Sequence, residues 1–327
     1  REYKQSCSIS KGGRRNQVTI DLAVIGAQRA GSTRLADTLA AHPGLELPAL
    51  ELPVFEERFF SALALVELDK YYTDSSGVLR GLKRPDYLAD PGAAENLHRV
   101  NSSCILTVVL RDPVERFVSA LHWYQYVKLI PVEPMSEILA QVRAVADTAV
   151  EKAWAGNPYA NLLSNGMYGR HLLRWLELFG EDCLHILTQE QLRNASSRDA
   201  AVNRIFSALG LATQPAATGG KPQRQNAGVY NPHRLKFLSK RPTTFRWEDM
   251  SKFEYVPSRL RRSPVRAVVS RGFHAVDQYA LAPLCKKSEA LTESDLDFLR
   301  TLYWNDRVTS GCTSLLDGVS IGGQRAQ

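Results

Sequence analysis

Gly26-Ala-Gln-Arg-Ala-Gly-Ser-Thr33 places an arginine between two glycines and follows them at once with two hydroxyl residues. Between a strand and a helix, such a loop converges backbone N–H groups and the positive end of the helix dipole on one oxyanion. The spacing Gly26-xxxx-Gly31 is that of a Walker A loop, but Ser32 occupies the position of the lysine that reaches β- and γ-phosphates. A site for a shorter anion, with Arg29 as cation and Ala30, Gly31, Ser32 and Thr33 around it, fits these residues better. A tight strand-to-helix turn without a ligand is the plainer alternative.

Leu110-Arg-Asp-Pro-Val-Glu-Arg-Phe-Val-Ser119 is a second such group. Ser119 is about two helical turns beyond Arg111, so guanidinium and hydroxyl fall on close faces and suit a second phosphate. Alternatively Arg111 merely pairs with Asp112 or Glu115. Glu51 stands among Leu50, Leu52, Val54 and Phe55, either solvated at a loop tip or partly buried and functional. Lys83, in Lys83-Arg-Pro-Asp-Tyr87, reads by itself as a surface charge, and Pro85 holds Arg84 extended. Lys221 and Arg224 lie in the Gly/Pro/Gln/Asn-rich stretch Thr213 to His233, whose length marks a functional or mobile loop.

These groups need a frame. Val18 to Ile25 is a β-branched apolar run, the pattern of a strand covered on both faces. Ser32 or Thr33 can cap the helix after it, Leu35 and Leu39 give that helix an apolar face, and Pro43 stops it. Cys104 to Leu110 is a second buried strand, after which Asp112 serves as N-cap and Pro113 as first-turn residue of a helix. Residues 61–100 read as mostly helical. Helices are also expected from Ala140 to Ala155, from Ser164 to Phe179 with Leu172, Trp175, Leu176 and Phe179 inward, and from Ala200 to Leu209. Another runs from Thr292 to Val308 with Asp295 completing a capping box. Cys183 to Leu187 is a third strand. The expected fold is α/β, with a mostly parallel central sheet flanked by helices on both faces and a helical C-terminal elaboration. Residues 18–327 would form one domain, with 1–17 a polar lead-in and 213–290 a loop-rich basic elaboration.

With 44% hydrophobic residues in 327, the chain can bury a sizeable core, and its apolar runs are well short of a membrane span. The first residue is Arg1, which reads as a trimmed fragment from which an anchor could have been lost. The five cysteines form no C-x-x-C pair, which argues against a structural zinc. Cys285 and Cys312 could pair in an oxidising compartment. N-x-S sequons at Asn101 and Asn194 hint faintly at a secretory lumen. A net charge of +7 and a pI near 9.2 favour anionic ligands without choosing among nucleotides, polyanionic glycans, nucleic acid or acidic surfaces. The arginines from Arg259 to Arg271 read as a solvated basic face, or more sharply as an acceptor-steering surface.

Taken together, the two anion motifs resemble those of PAPS-dependent sulfotransferases, nearest the branch holding the heparan sulfate enzymes and their bacterial and algal relatives. That family pairs a 5′-phosphosulfate loop, G-x-x-K-x-G-T-T/S, with a 3′-phosphate motif, L-R-D-P-x-x-R-x-x-S. The likeness covers roughly residues 20 to 210. It implies a P-loop-like sulfotransferase fold and transfer of a sulfuryl group from PAPS to an acceptor hydroxyl, on a glycan or a small alcohol or phenol, releasing PAP. Neither a metal nor a nucleic-acid partner is implied. By the same likeness Arg29 replaces the family lysine at the phosphosulfate. Ala30, Gly31, Ser32 and Thr33 line the 5′-phosphate, while Arg111 and Ser119 hold the 3′-phosphate. Glu51 falls on the catalytic base of an E-x-x-F-F segment, and Lys83 on the lysine of K-T-P-x-Y, with Arg84 in place of threonine. Tyr168 and Trp175 match a helix that follows, and Lys221 and Arg224 a cover over the 3′-phosphate. His122 is the runner-up base. The Golgi lumen and the cytoplasm both remain open as the location. The competing functions are a P-loop phosphotransferase or kinase-like enzyme and a non-catalytic polyanion-binding module.

Overall fold

The computed structural model describes residues 19–73, 75–126, 129–213 and 290–322. These fall into two compact units, of which the first holds the described residues up to 117 together with 164–213 and 296–322, and the second 118–163 with 290–295. The candidate residues Lys221 and Arg224, the lead-in and nearly all of 213–290 lie outside the described residues.

The first unit is built on five parallel strands in the order β2-β3-β1-β4-β5: β1 Leu22–Gly26, β2 Leu45–Glu46, β3 Leu79–Lys83, β4 Ile105–Leu110 and β5 Leu184–Thr188. Every residue of β1 and of β4 is buried, as continuous apolar runs demand when helices cover a parallel sheet. The helices are α1 Ser32–Leu39, α2 Ala62–Asp69, α3 Ala93–Val100, α8 Tyr168–Phe179, α9 Gln189–Arg193 and α10 Ala195–Ala208. Leu35 and Leu39 of α1, and Leu172, Trp175 and Phe179 of α8, are buried as their spacing requires. Gly180 ends α8 with φ of 76°. Two helices run across the division between units, α4 Pro113–Tyr126 and α11 Glu293–Thr309. Asp112 caps α4 through the amides of Val114 and Glu115 at 2.9 and 3.2 Å. Thr292 and Asp295 form the expected capping box. Within the second unit lie α5 Met135–Ala144, which buries Met135, Ile138, Leu139 and Val142, then α6 Ala149–Trp154 and all but the last residue of α7 Pro158–Ser164.

Three expectations need correction. Residues 61–100 are not mostly helical, because β3 lies among them and occupies a position next to the centre of the sheet. Its sequence, LRGLK, hides the strand by placing two cations on it. Arg80 is buried against Asp69 at 2.6 Å and over the Tyr72 ring at 5.2 Å, and Lys83 is buried at the carboxyl end. The helix expected from Ala140 to Ala155 is two helices, α5 and α6, with a 3-10 turn between them at Ala146–Thr148. Cys312 does not pair with Cys285, since it is a buried free thiol donating towards the Gly169 carbonyl, whereas Cys183 is disulfide-bonded.

After β3 the chain enters a 3-10 turn, Pro85–Leu88, that packs directly on the end of β1. A methyl group at Gly26 would stand 2.8 Å from Leu88 Cβ and 3.3 Å from the Pro85 carbonyl oxygen. Both obstacles belong to or adjoin main chain and cannot swing aside. Gly26→Ala should therefore lower stability by about 1–3 kcal/mol, read as a lower urea midpoint with an unchanged slope. An unchanged midpoint would show that the turn does not press on β1.

Candidate functional site

β1, β3 and β4 are neighbours, so the residues that follow their carboxyl ends meet at one edge of the sheet, where ligands of open α/β sheets bind. The loop Ala27–Gly31 leaves β1 there. It is fastened to β4 by the Ala27 amide, which donates to the Val109 carbonyl at 2.8 Å. Arg29 has φ of 66°, in the left-handed region that a residue with a side chain rarely occupies. Both of its neighbours are pinned: Gln28 Nε2 donates to Asp86 Oδ1 at 3.2 Å, and Gln189 Nε2 to the Ala30 carbonyl at 3.1 Å. The N-cap of α1 is Gly31, with φ of 112°, rather than Ser32 or Thr33, and no side chain caps this helix. The first-turn amides are thereby left without a side-chain acceptor, the condition for an anion at a helix N-terminus.

The Thr33 hydroxyl has a different use. It accepts from Lys83 Nζ at 3.0 Å, and the same ammonium pairs with Glu51 Oε1 at 2.6 Å. Lys83 is 7% exposed at its side chain and Glu51 41%, so a buried cation holds a carboxylate at the surface of the site. Lys83 is thus no ordinary surface charge. Arg84 is extended before Pro85, at φ −151° and ψ 100°.

Arg111 follows β4 and donates through Nε and Nη2 to Glu115 Oε2 at 3.0 and 2.8 Å. This is the local pairing that the sequence left as an alternative. It is an exposed i,i+4 pair of small net stability that a phosphate could displace. Tyr168 opens α8 and is buried, with its phenol against the Arg111 main chain but without an aligned hydrogen bond. Burial raises its pKa well above the usual phenol range. It lines a cavity of about 20 Å³ with Tyr303, Asp306 and Arg307, room for about one water. Ser119 lies further along α4, in the second unit, as does His122, whose pKa is lowered by burial.

No family model matches the chain. It is 28% identical over 187 residues to a "Bifunctional heparan sulfate N-deacetylase/N-sulfotransferase 1" of Caenorhabditis briggsae, covering 54% of this chain and 21% of that protein. It is 26% identical over 188 residues to the human "Heparan sulfate glucosamine 3-O-sulfotransferase 6", covering 58% and 51%. The fold matches a crystal structure of a sulfotransferase from Alicyclobacillus acidocaldarius with a TM-score of 0.50 and 20% identity, over 63% of this chain and 87% of that one. The chain is similar to sulfotransferases in sequence and in fold. These sequence relatives are named for heparan sulfate, and the chain spans about half or less of their length.

In this sulfotransferase fold, sequence reasoning passed over a second set of charges behind the first. Glu56 is 6% exposed at its side chain, and its Oε1 receives Arg84 Nε at 2.6 Å. Arg84 Nη2 reaches Asp86 Oδ2 at 3.1 Å. The segment from Leu52 to Glu57 is tied to the 3-10 turn at several further points. The Tyr87 hydroxyl donates to the Leu52 carbonyl at 2.5 Å and accepts the Phe55 amide at 3.2 Å, and Asp90 Oδ1 accepts the Glu57 amide at 3.1 Å. Trp175 of α8 supports the turn from behind, donating to the Leu88 carbonyl at 3.2 Å. The available signal was Glu56 directly after the apolar Leu52-Pro-Val-Phe55, together with the unusual Arg84, two charges that a buried setting must match.

Burial holds the Glu56 carboxyl up at about 7 from an ordinary 4.5, against the lowering influence of Arg84. Between those values the folded chain keeps a proton that the unfolded chain has released. This contribution to stability is therefore complete at the acid end and lost as the pH rises through 7. Glu56→Gln removes the titration while leaving Arg84 an acceptor. The melting temperature of the variant relative to wild type should accordingly climb from about pH 5 to about pH 8. A difference that does not change with pH would show that Glu56 titrates normally.

Proposed function

We propose that this chain transfers the sulfuryl group of PAPS to an acceptor hydroxyl and releases PAP. The observation that supports this reading best is Lys83, whose one ammonium joins Glu51 at 2.6 Å to the first turn of the anion-loop helix at Thr33, 3.0 Å away. A base and a leaving-group site must lie on opposite sides of the transferred group, and a cation between them can follow the charge as it moves.

In the proposed reaction the 5′-phosphosulfate rests on Arg29 to Thr33, and the 3′-phosphate draws Arg111 from Glu115, with Ser119 as second donor. Lys221 and Arg224 are proposed to cover that phosphate. Tyr168 acts from beneath the Arg111 turn. The Glu51 carboxylate takes the proton of the acceptor hydroxyl as its oxygen attacks sulfur in line. The bond between sulfur and the bridging phosphate oxygen breaks, and its electron pair stays on PAP. Lys83, Arg29 and the first-turn amides of α1 meet the negative charge growing there. The part of the Arg29 guanidinium is electrostatic. This chemistry calls for no metal. For the acceptor we favour a glycan: the relatives' names specify heparan sulfate, and a net charge of +7 suits a polyanionic chain.

Glu51→Gln should keep PAP affinity and lower turnover by about two to four decades. If His122→Ala abolishes turnover while Glu51→Gln does not, the base has been misassigned.

Arg111→Ala should weaken PAP binding in calorimetry by about tenfold or more, corresponding to the loss of a charge-assisted contact. Equal affinity in both proteins would place the 3′-phosphate elsewhere. Thermal stabilisation by PAP, and not by ADP or heparin alone, separates this function from a phosphotransferase and from a polyanion-binding module.

A further inference from the structure

Arg84 is the residue at which β3 gives way to the 3-10 turn. A shorter side chain could not make the contacts it makes. Its guanidinium, 11% exposed, is held between Glu56 at 2.6 Å and Asp86 at 3.1 Å. Asp86 then uses its other oxygen, Oδ1, to accept Gln28 Nε2 at 3.2 Å. Gln28 immediately precedes Arg29, whose left-handed φ of 66° persists only if the surrounding structure holds it. At the other end of the same chain of contacts, Glu56 belongs to the segment that begins at Glu51 and is tied down by Tyr87 and Asp90. Two carboxyl groups around one guanidinium, with a neutral amide as the last link, reach both parts of the site.

We propose that Glu56, Arg84 and Asp86 are positioning residues that act through Gln28 to fix the anion loop and Arg29 in register with the Glu51 segment. None of them touches the reacting atoms. Arg84 and its two carboxyl partners depend on one another: the arginine provides the reach, and Glu56 and Asp86 provide the acceptors that a buried guanidinium requires. The inference rests on the sulfotransferase reading for its effect on turnover, whereas the physical link between turn and loop is independent of it.

The test uses the full chain and three variants. Gln28→Ala cuts the last link without disturbing a buried charge, and Asp86→Asn keeps the shape while weakening the hold of Arg84. Arg84→Met removes the centre but strands Glu56, so a failure of that variant to fold leaves the first two to decide. Without nucleotide, amide exchange across residues 26–33 should quicken about tenfold in Gln28→Ala, while exchange across β4 stays as in wild type. Turnover should fall by about tenfold to a hundredfold with PAP affinity changed less than about threefold, the mark of lost alignment rather than lost binding. The double variant Gln28→Ala/Asp86→Asn should lose no more than the worse single variant, as expected of two links in one chain. Unchanged loop exchange in Gln28→Ala overturns the proposal, and so do additive losses in the double variant. Faster loop exchange in a protein whose wild type neither binds PAP nor consumes PAPS would uphold the link and overturn the sulfotransferase reading.

Discussion

The site depends on one short segment, Lys83 to Asp90, where β3 ends and a 3-10 turn begins. Lys83 holds Glu51 and Thr33, Arg84 holds Glu56, Asp86 takes Gln28, Tyr87 binds Leu52 and Phe55, and Asp90 takes the Glu57 amide. The turn presses on Gly26 at a distance that excludes a side chain, and Trp175 of α8 holds it from the other side. The segment cannot shift by a residue without breaking contacts to the anion loop and the Glu51 segment together. Pro85 is part of the reason it does not. Its ring excludes the helical conformation from Arg84, so Lys83 ends the strand and Arg84 leaves it at a fixed angle.

Close pairing explains why so many ionisable groups can gather at the edge of an apolar sheet. Lys83 and Arg84 are opposed by Glu51, Glu56 and Asp86, each within 3.1 Å of a cation. Ion pairs of this kind bring little net stability because desolvation offsets the attraction, yet removing one partner is strongly unfavourable. Their value lies in direction: each bond fixes where a neighbouring group must be. Arg111 is different, since it is more exposed and pairs with Glu115 one turn along its helix, an arrangement easily exchanged for a phosphate.

Much of this was legible in the sequence wherever one physical signal dominated. The apolar runs of β1 and β4 read directly as buried strands, and Asp112-Pro113 and Thr292-xx-Asp295 as helix starts. Glu51, Lys83, Arg29 and Arg111 were singled out by type and spacing, although their roles came only with family likeness. β3 was missed because a strand containing Arg80, Gly81 and Lys83 carries neither alternation nor an apolar run, and what permits those charges inside lies in Asp69, Tyr72 and Glu51. The cap of α1 was misread because hydroxyl residues usually outcompete glycine there, whereas here the loop needs a left-handed residue at that point and Thr33 is engaged by Lys83. Glu56 has only a weak local signature, because Glu57 and Arg58 beside it make the stretch read as solvated. Its importance is set by Arg84, twenty-eight positions away.

The strand order also governs when the protein can become itself during synthesis. Leu22 of β1 pairs with Gly81 on one side and Ile105 on the other, and Leu106 of β4 pairs with Leu184 of β5. The fully buried apolar strand β1 therefore precedes the strands it pairs with by dozens of residues and has no partner until they have emerged. Contacts so distant along the chain form slowly, and an unpaired apolar strand is prone to aggregate in the interval. The anion loop inherits the delay. Its conformation is closed by Asp86 from one direction and by Gln189 from the other, so it takes its working shape only after residues far behind it in the chain have been made.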